Sequence, residues 1–199
     1  MEQDPNDEPA SVLLEKIREE KEKLLEEGKI KKQKWLPLIA EDEVPYELVE
    51  GWAWTYLGRI IELISGQHIK KHNYNTDSHG VSYLTGPIDF GEKYPIITKW
   101  TEKPKVIAHK NDILLTVKGA GLGKNNLVDV NEIAISRQLM AIKSILVDFY
   151  YIHLFVKSKY QYFQDAGVGI AIPGIGRDDI LYMKIPLPPL PEQRRIVAK

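Results

Sequence analysis

Lys118-Gly119-Ala120-Gly121-Leu122-Gly123-Lys124-Asn125-Asn126 brings together glycines, lysines and side-chain amides, the residue types that hold phosphates. The segment follows DILLTV (112–117), which reads as a strand, so a nucleotide-binding loop is the first chemistry to test. A P-loop needs four residues between its first glycine and its Gly-Lys pair, then Ser or Thr for magnesium. Here only Ala120, Gly121 and Leu122 separate Gly119 from Gly123, and Asn125 follows Lys124. The dinucleotide fingerprint G-x-G-x-x-G is not met either, since the spacing is G-x-G-x-G.

Other catalytic patterns fail in similar ways. His68 and His72 stand four apart, but Ile69, Lys70 and Lys71 lie between them. A zinc protease helix needs Glu after its first His, and two lysines repel a metal. Glu19, Glu20 and Lys21 match a nuclease-like E-x-K in composition only, inside a charged helix. The Pro-rich PLPPLPEQ lacks the polar-Pro-Pro-aromatic motif with which amino-methyltransferases hold an exocyclic amine. With no cysteine, disulfides, thiolate zinc sites and thiol catalysis are excluded, and a reducing compartment such as the cytoplasm is the expected setting. The sequence therefore reads as a non-catalytic chain with no metal site and no cofactor.

The same residue types suit nucleic acid better. Lysines neutralise phosphates and set register, whereas Arg, Asn and Gln pair with base edges. Between 99 and 124 stand Lys99, Lys103, Lys105, Lys110, Lys118 and Lys124 against Glu102 and Asp112. Lys70, Lys71, Asn73, Tyr74 and Asn75 form a second polar-basic patch, and Arg137 with Gln138 a third. Gly119 lets backbone N–H groups approach an anion closely, and Asn125 and Asn126 offer paired hydrogen bonds to a base. Arg177 adds a further base near the end of the domain. A solvated turn between strands is the competing reading of 118–126, and a solvated side chain that of each lysine.

Charge is divided along the chain. Residues 1–50 hold 15 acids and 8 bases, and residues 51–199 hold 13 acids and 19 bases. Such asymmetry suggests different partners for the two parts, although solvated faces also vary by chance. No run approaches the ~20 apolar residues that span a bilayer, so no membrane partner is expected. The acidic N-terminus has no secretory pattern.

The elements that must position these residues are of mixed type. ASVLLEKIREEKEKLLEEG reads as a helix with Pro9 in its first turn and Gly28 as its terminating glycine. Leu13, Leu14, Ile17, Leu24 and Leu25 make a narrow, near-heptad stripe that Lys21 interrupts, and Glu19 and Lys23 sit at i,i+4. This predicts a coiled-coil-type helix in preference to an ordinary surface helix. Pro37 and Pro45 break the connector that follows, and alternating Trp52, Trp54 and Tyr56 open a globular domain with a strand. Short strands are expected at 81–84, 105–108, 112–117 and 180–185. A single helix is expected over 147–163, with Phe149, Ile152, Val156, Tyr160 and Phe163 turned to the core. At the end, PLPPLPEQRRIVAK gives an extended run and a helix start, with Pro191 at N1 and Glu192 at the positive dipole end. Two turns of helix are not stable alone, so the chain is expected to be a piece of something longer or to need a partner there.

Residues 167–199, GVGIAIPGIGRDDILYMKIPLPPLPEQRRIVAK, resemble the end of a target-recognition domain in type I restriction-modification specificity subunits. The family pattern I-P-L-P-P-x-x-E-Q-x-x-I-V is met by Ile185, Pro186, Leu187, Pro188, Pro189, Glu192, Gln193, Ile196 and Val197. Its G-W…L-G opening is met by Gly51, Trp52, Leu57 and Gly58, whereas residues 70–165 match only loosely.

The resemblance implies an α+β fold: a β-rich mixed target-recognition domain preceded by an amphipathic, coiled-coil-type helix and followed by the start of a second spacer helix. The expected division is spacer tail and connector at 1–50, recognition domain at 51–190 and spacer start at 191–199. It implies binding to double-stranded DNA at one half of a bipartite site. Partner methyltransferase subunits would modify adenine, and through them a restriction subunit would translocate and cut. A half-length chain would complete the reader by self-pairing through its spacer helices. Two readings remain beside this one: a protein-interaction adaptor working through its helical ends, and a nucleotide-binding enzyme using 118–126.

Overall fold

A computed structural model of the chain describes residues 3–32, 36–167 and 173–199. It has two compact units that alternate along the sequence. One comprises Met1–Glu62, Ser144–Leu154 and Arg177–Lys199, the other Leu63–Lys143 and Phe155–Gly176.

The first unit begins with helix α1 (Ala10–Glu26), which Gly28 ends at φ +67 as a C′ glycine does. Pro9 lies just before the helix, as its N-cap. The face α1 buries is Ala10, Leu13, Ile17 and Lys21, so Leu13 and Ile17 of the expected stripe are buried while Leu14 and Leu24 are half-buried and Leu25 is exposed. Lys21 is therefore part of the packed face. Its Nζ donates to the carbonyls of Gly58 (2.8 Å) and Ile61 (2.9 Å) around helix α2 (Leu57–Ile60), the element α1 packs on. A four-carbon stem lets lysine cover apolar surface while its head finds acceptors, a use of the residue that a hydrophobicity pattern cannot register. Lys23 pairs with Glu20 at 3.9 Å, one residue along from the expected Glu19.

The strand expected at Trp52, Trp54 and Tyr56 is β1 (Ala53–Tyr56), which pairs antiparallel with the late strand β10 (Lys184–Leu187), Trp54 opposite Pro186. The strand expected at 180–185 is displaced. Residues Arg177–Leu181 form helix α5, with Asp178 and Asp179 in its first turn, where acids meet the positive end of the dipole. A short apolar run alone does not separate helix from strand. The unit ends in helix α6 (Leu190–Val197), with Pro191 in its first turn.

The second unit is built on two four-stranded sheets. Strand β2 (Ile61–Ser65) leads into it, followed by β3 (Val81–Leu84), β4 (Trp100–Thr101), β5 (Ile107–His109), β6 (Ile113–Thr116), β7 (Asn125–Leu127), β8 (Glu132–Ile135) and β9 (Leu139–Ser144). One sheet runs β2-β9-β6-β7 and the other β4-β3-β8-β5, with β3 and β8 parallel and their outer neighbours antiparallel. The core holds Leu84, Ala108, Ile133 and Ile135 from one sheet and Leu114, Leu139 and Ala141 from the other. Period-two alternation is visible on β8. Ile133 and Ile135 enter that core while Ala134 joins Ile69 and Tyr83 in a separate cluster.

The helix expected over 147–163 is broken into α3 (Phe149–Ser158) and α4 (Tyr160–Ala166). The Lys159 N–H bonds back to Val156 O, and the Ser158 hydroxyl donates to Phe155 O at 2.7 Å, so the i−4 ladder is lost there. Ile152, Val156 and Phe163 are buried as expected, whereas Tyr160 is exposed. Within the family-like ending 167–199, residues 168–172 lie outside the described residues.

Candidate nucleic-acid interface

Residues 117–124 join β6 to β7 in a tight turn closed by its own backbone. Leu122 N–H donates to Gly119 O (3.0 Å), Gly123 to Thr116 O (2.9 Å) and Lys124 to Gly121 O (2.9 Å), while Gly119 donates to Pro173 O (2.8 Å). These amides are already used, so the backbone cradle for an anion expected at Gly119 is not formed by them. The glycines serve shape instead. Gly119 and Gly123 hold φ of +87 and +81, and a Cβ on Gly121 would meet Pro87 Cγ at 2.5 Å. The turn thus lies against a second turn, a single 3-10 turn at Pro87–Asp89.

A third turn, Arg137-Gln138 between β8 and β9, completes the group. Gln138 O accepts the Val117 N–H at 2.8 Å. Its side-chain amide lies against Gly86, where a Cβ would stand 2.0 Å from Oε1, and 3.9 Å from the corresponding point on Gly119. Lys118, Lys124, Arg137 and Gln138 are exposed at this convergence, and Asn125 is half-buried, its Nδ2 donating to Gly123 O at 3.2 Å. Lys124 and Asn125 share a shallow depression with Pro87, Phe90, Lys157 and Tyr160.

The remaining expected residues lie elsewhere or are occupied. Lys70, Lys71 and Asn73 sit at a separate single turn, Lys71–Asn73, whose Asn73 carbonyl accepts the Thr101 hydroxyl at 2.6 Å. Arg177 belongs to the other unit, at the start of α5. Asn126 is buried, its Nδ2 donating to Gly91 O at 3.1 Å, so its side chain is closed to solvent. Lys99 is half-buried and donates to Asp89 Oδ1 at 2.8 Å, so its charge is already matched inside the unit.

Asp89 is the residue that sequence reasoning missed. Its other oxygen accepts the Thr85 N–H (2.6 Å) and the Thr85 hydroxyl (2.7 Å). Burial pushes the carboxyl upward, but Lys99 and the two Thr85 donors outweigh it and hold it below its ordinary value. An ionised Asp89 therefore pins the Pro87–Asp89 turn against β3 and β4. The Gly-Pro pair at 86–87 marks a turn in the sequence, but nothing local shows that a carboxylate anchors it.

The motif residues at the two ends of the chain have a structural explanation within the first unit. Glu192 is buried and accepts the Trp52 indole N–H at 2.9 Å. Gln193, fully buried, donates to Pro188 O (2.9 Å) and accepts the Asp148 N–H (3.0 Å). Gly51 takes φ +82 beside Pro189, its carbonyl accepting the Ala10 N–H at 2.8 Å. A Cβ on Gly58 would meet Leu36 and Leu181 at 2.6 and 2.9 Å. The Gly-Trp…Leu-Gly opening and the Pro-rich Glu-Gln ending thus clasp each other. Those side chains also explain how so short a helix as α6 is held. Among the described residues no group of three or more His, Asp or Glu could hold a metal ion, and no helix is long and apolar enough to cross a membrane.

Comparison with known proteins decides the family. The model of the type I restriction modification DNA specificity domain matches residues 49–199. The chain belongs to that family. It is 30% identical over 217 residues to the type I restriction enzyme EcoEI specificity subunit of Escherichia coli, covering 98% of the chain and 36% of the relative. The EcoAI specificity subunit, also of Escherichia coli, is 41% identical over 127 residues, 63% of the chain and 20% of that protein. The chain therefore spans about a fifth to a third of the curated relatives it matches. The HsdS subunit from Thermoanaerobacter tengcongensis superposes with a TM-score of 0.70 at 26% identity, covering 94% of the chain and 46% of the HsdS chain. The fold is that family's mixed α+β arrangement, with helices at both ends as the sequence led us to expect.

Proposed function

We propose that this type I specificity family member reads one half of a double-stranded DNA site and performs no chemistry itself. The observation that carries the reading is the convergence of three turns, 86–89, 117–124 and 137–138, which presents Lys118, Lys124, Arg137, Gln138 and Asn125 on one sheet-based unit. The three cations suit phosphates, and the two amides suit the major-groove edge of adenine. Gln138 is held by packing on Gly86, and such restraint is what a base-reading side chain needs. Lys70, Lys71 and Asn73 form a second phosphate contact in this reading. Lys99 and Asn126 leave the contacting set and support it from within.

Methylation of adenine and cleavage fall to partner methyltransferase and restriction subunits, in the cytoplasm beside the DNA. Helices α1 and α6 are the segments through which spacer helices continue, either to a second recognition domain or to a second copy of the chain. The boundaries proposed from sequence, 1–50, 51–190 and 191–199, describe this division of labour.

Selection of duplexes from a randomised pool, with the chain in complex with its methyltransferase partner, tests the reading. One half-site should be enriched. Lys118→Ala should weaken binding to every sequence and lower the salt slope by about one. Gln138→Ala should relax one position of the selected site. A pool with no enriched sequence at low salt would refute the reading.

A further inference from the structure

At the crown of the Pro87–Asp89 turn stands Ile88, 85% exposed, in the same loop as the exposed Ile96 (61%). The turn beneath it is fixed rather than pliable. Asp89 ties it to Thr85 and Lys99, the Asp89 N–H donates to Gly86 O at 3.1 Å, and the Ile96 N–H donates to Asp89 O at 2.8 Å. Pro87 presets its backbone and packs on Gly121. An isoleucine held out in water by so many restraints forgoes the burial that an apolar side chain ordinarily gains. The depression beside it mixes Phe90 and Tyr160 with cations and an amide. Gln138 lies against Gly86, two residues away, and Lys124, Asn125 and Lys157 share a depression with Pro87. An apolar protein partner would have to desolvate those cations, whereas DNA pairs them with phosphates.

In the major groove an A·T pair offers the adenine N7 and N6 edge beside the 5-methyl group of thymine. An amide packed on Gly86, two residues before an exposed apolar side chain in the same turn, matches that pair of features. Building on the DNA reading proposed above, we infer that Ile88 is a specificity-determining residue that packs on a thymine 5-methyl group, next to the base edge read by Gln138.

Replacing each thymine of the selected site by uracil removes the methyl group and nothing else. The full chain with its methyltransferase partner should lose about fourfold in affinity at one such position, the worth of one buried methyl group. Ile88→Ala should lose a similar factor on the thymine duplex and no longer distinguish uracil there. Ile88→Val should keep the discrimination in part. Because Ile88 is exposed, the melting temperature of Ile88→Ala should match that of the parent. Wild-type indifference to every uracil would overturn the inference, as would a variant that still discriminates at the same position. A fall in melting temperature would show that Ile88 is structural, and weakened methyltransferase association with unchanged DNA affinity would show that the surface serves a protein; either overturns it. Each of these results presupposes an enriched sequence, so failure of the DNA reading itself, seen as no enrichment, is a separate outcome.

Discussion

Lys21→Met removes the one charged group on the packed face of α1. The lysine is 9% exposed, with Nζ bonded to Gly58 O at 2.8 Å and Ile61 O at 2.9 Å. Burial lowers its pKa from 10.5 to about 8, partly opposed by the carboxylate of Glu62 and assisted by Arg59. At neutral pH two effects compete. The variant removes the donor to two carbonyls, at about 1–3 kcal/mol per bond, but no longer buries an ammonium. A net destabilisation of about 2 kcal/mol follows. The pH dependence is the sharper signature. Between pH 8 and 10.5 the folded chain has shed the Lys21 proton while the unfolded chain keeps it, so stability rises with pH across that window. At ~1.36 kcal/mol per unit the rise reaches about 3 kcal/mol. Methionine does not titrate. The stability difference between parent and variant should therefore be flat below pH 8 and widen by about 3 kcal/mol toward pH 10.5. Urea unfolding of both proteins, followed by fluorescence of Trp52 and Trp54 in the same unit, measures it. A difference that stays constant with pH would refute the reasoning, because it would mean that folding leaves the proton on Lys21 undisturbed.

Other perturbations follow from the same contacts. Gln193→Ala should cost about 2 kcal/mol in urea unfolding, since it orphans Pro188 O and the Asp148 N–H. Asp89→Ala should cost about 2–3 kcal/mol and weaken DNA binding, because it frees the turn and leaves Lys99 unmatched. The Asp89 carboxyl is held below its ordinary value, so the stability it contributes is complete above about pH 4 and is lost as pH falls through the lowered value. The variant's deficit should shrink correspondingly in acid. Gly121→Ala should force Pro87 away, lowering affinity for the selected duplex several-fold while circular dichroism stays unchanged.

The ends of the fold were legible in the sequence because their signals are local. Gly28 ends a helix by its backbone freedom, and the alternation of Trp52, Trp54 and Tyr56 marks β1. The motif residues at 185–197 pointed to the family, but only the structure shows why they are needed. Glu192 and Gln193 serve partners 140 and 45 residues away, a separation that no local window spans. The same limit explains Lys21, read as a break in an apolar stripe although its acceptors lie 37 and 40 residues on. Of the interface, the Gly-rich turn and the Arg-Gln pair could be found by residue type. That Asn126 and Lys99 turn inward, and that Asp89 props up Ile88, depends on which strands are neighbours. In a sheet with parallel β3 and β8, that neighbourhood is set far from the residues themselves.

The central claim is sequence-specific DNA binding by the three-turn surface. The most direct test is the ratio of affinities of the full chain, with its methyltransferase partner, for the selected duplex and for a scrambled duplex of equal composition at fixed physiological salt. A ratio of about a thousand or more, falling at least tenfold in Gln138→Ala, is predicted. A ratio near one, or a large ratio that the substitution leaves untouched, would contradict the account.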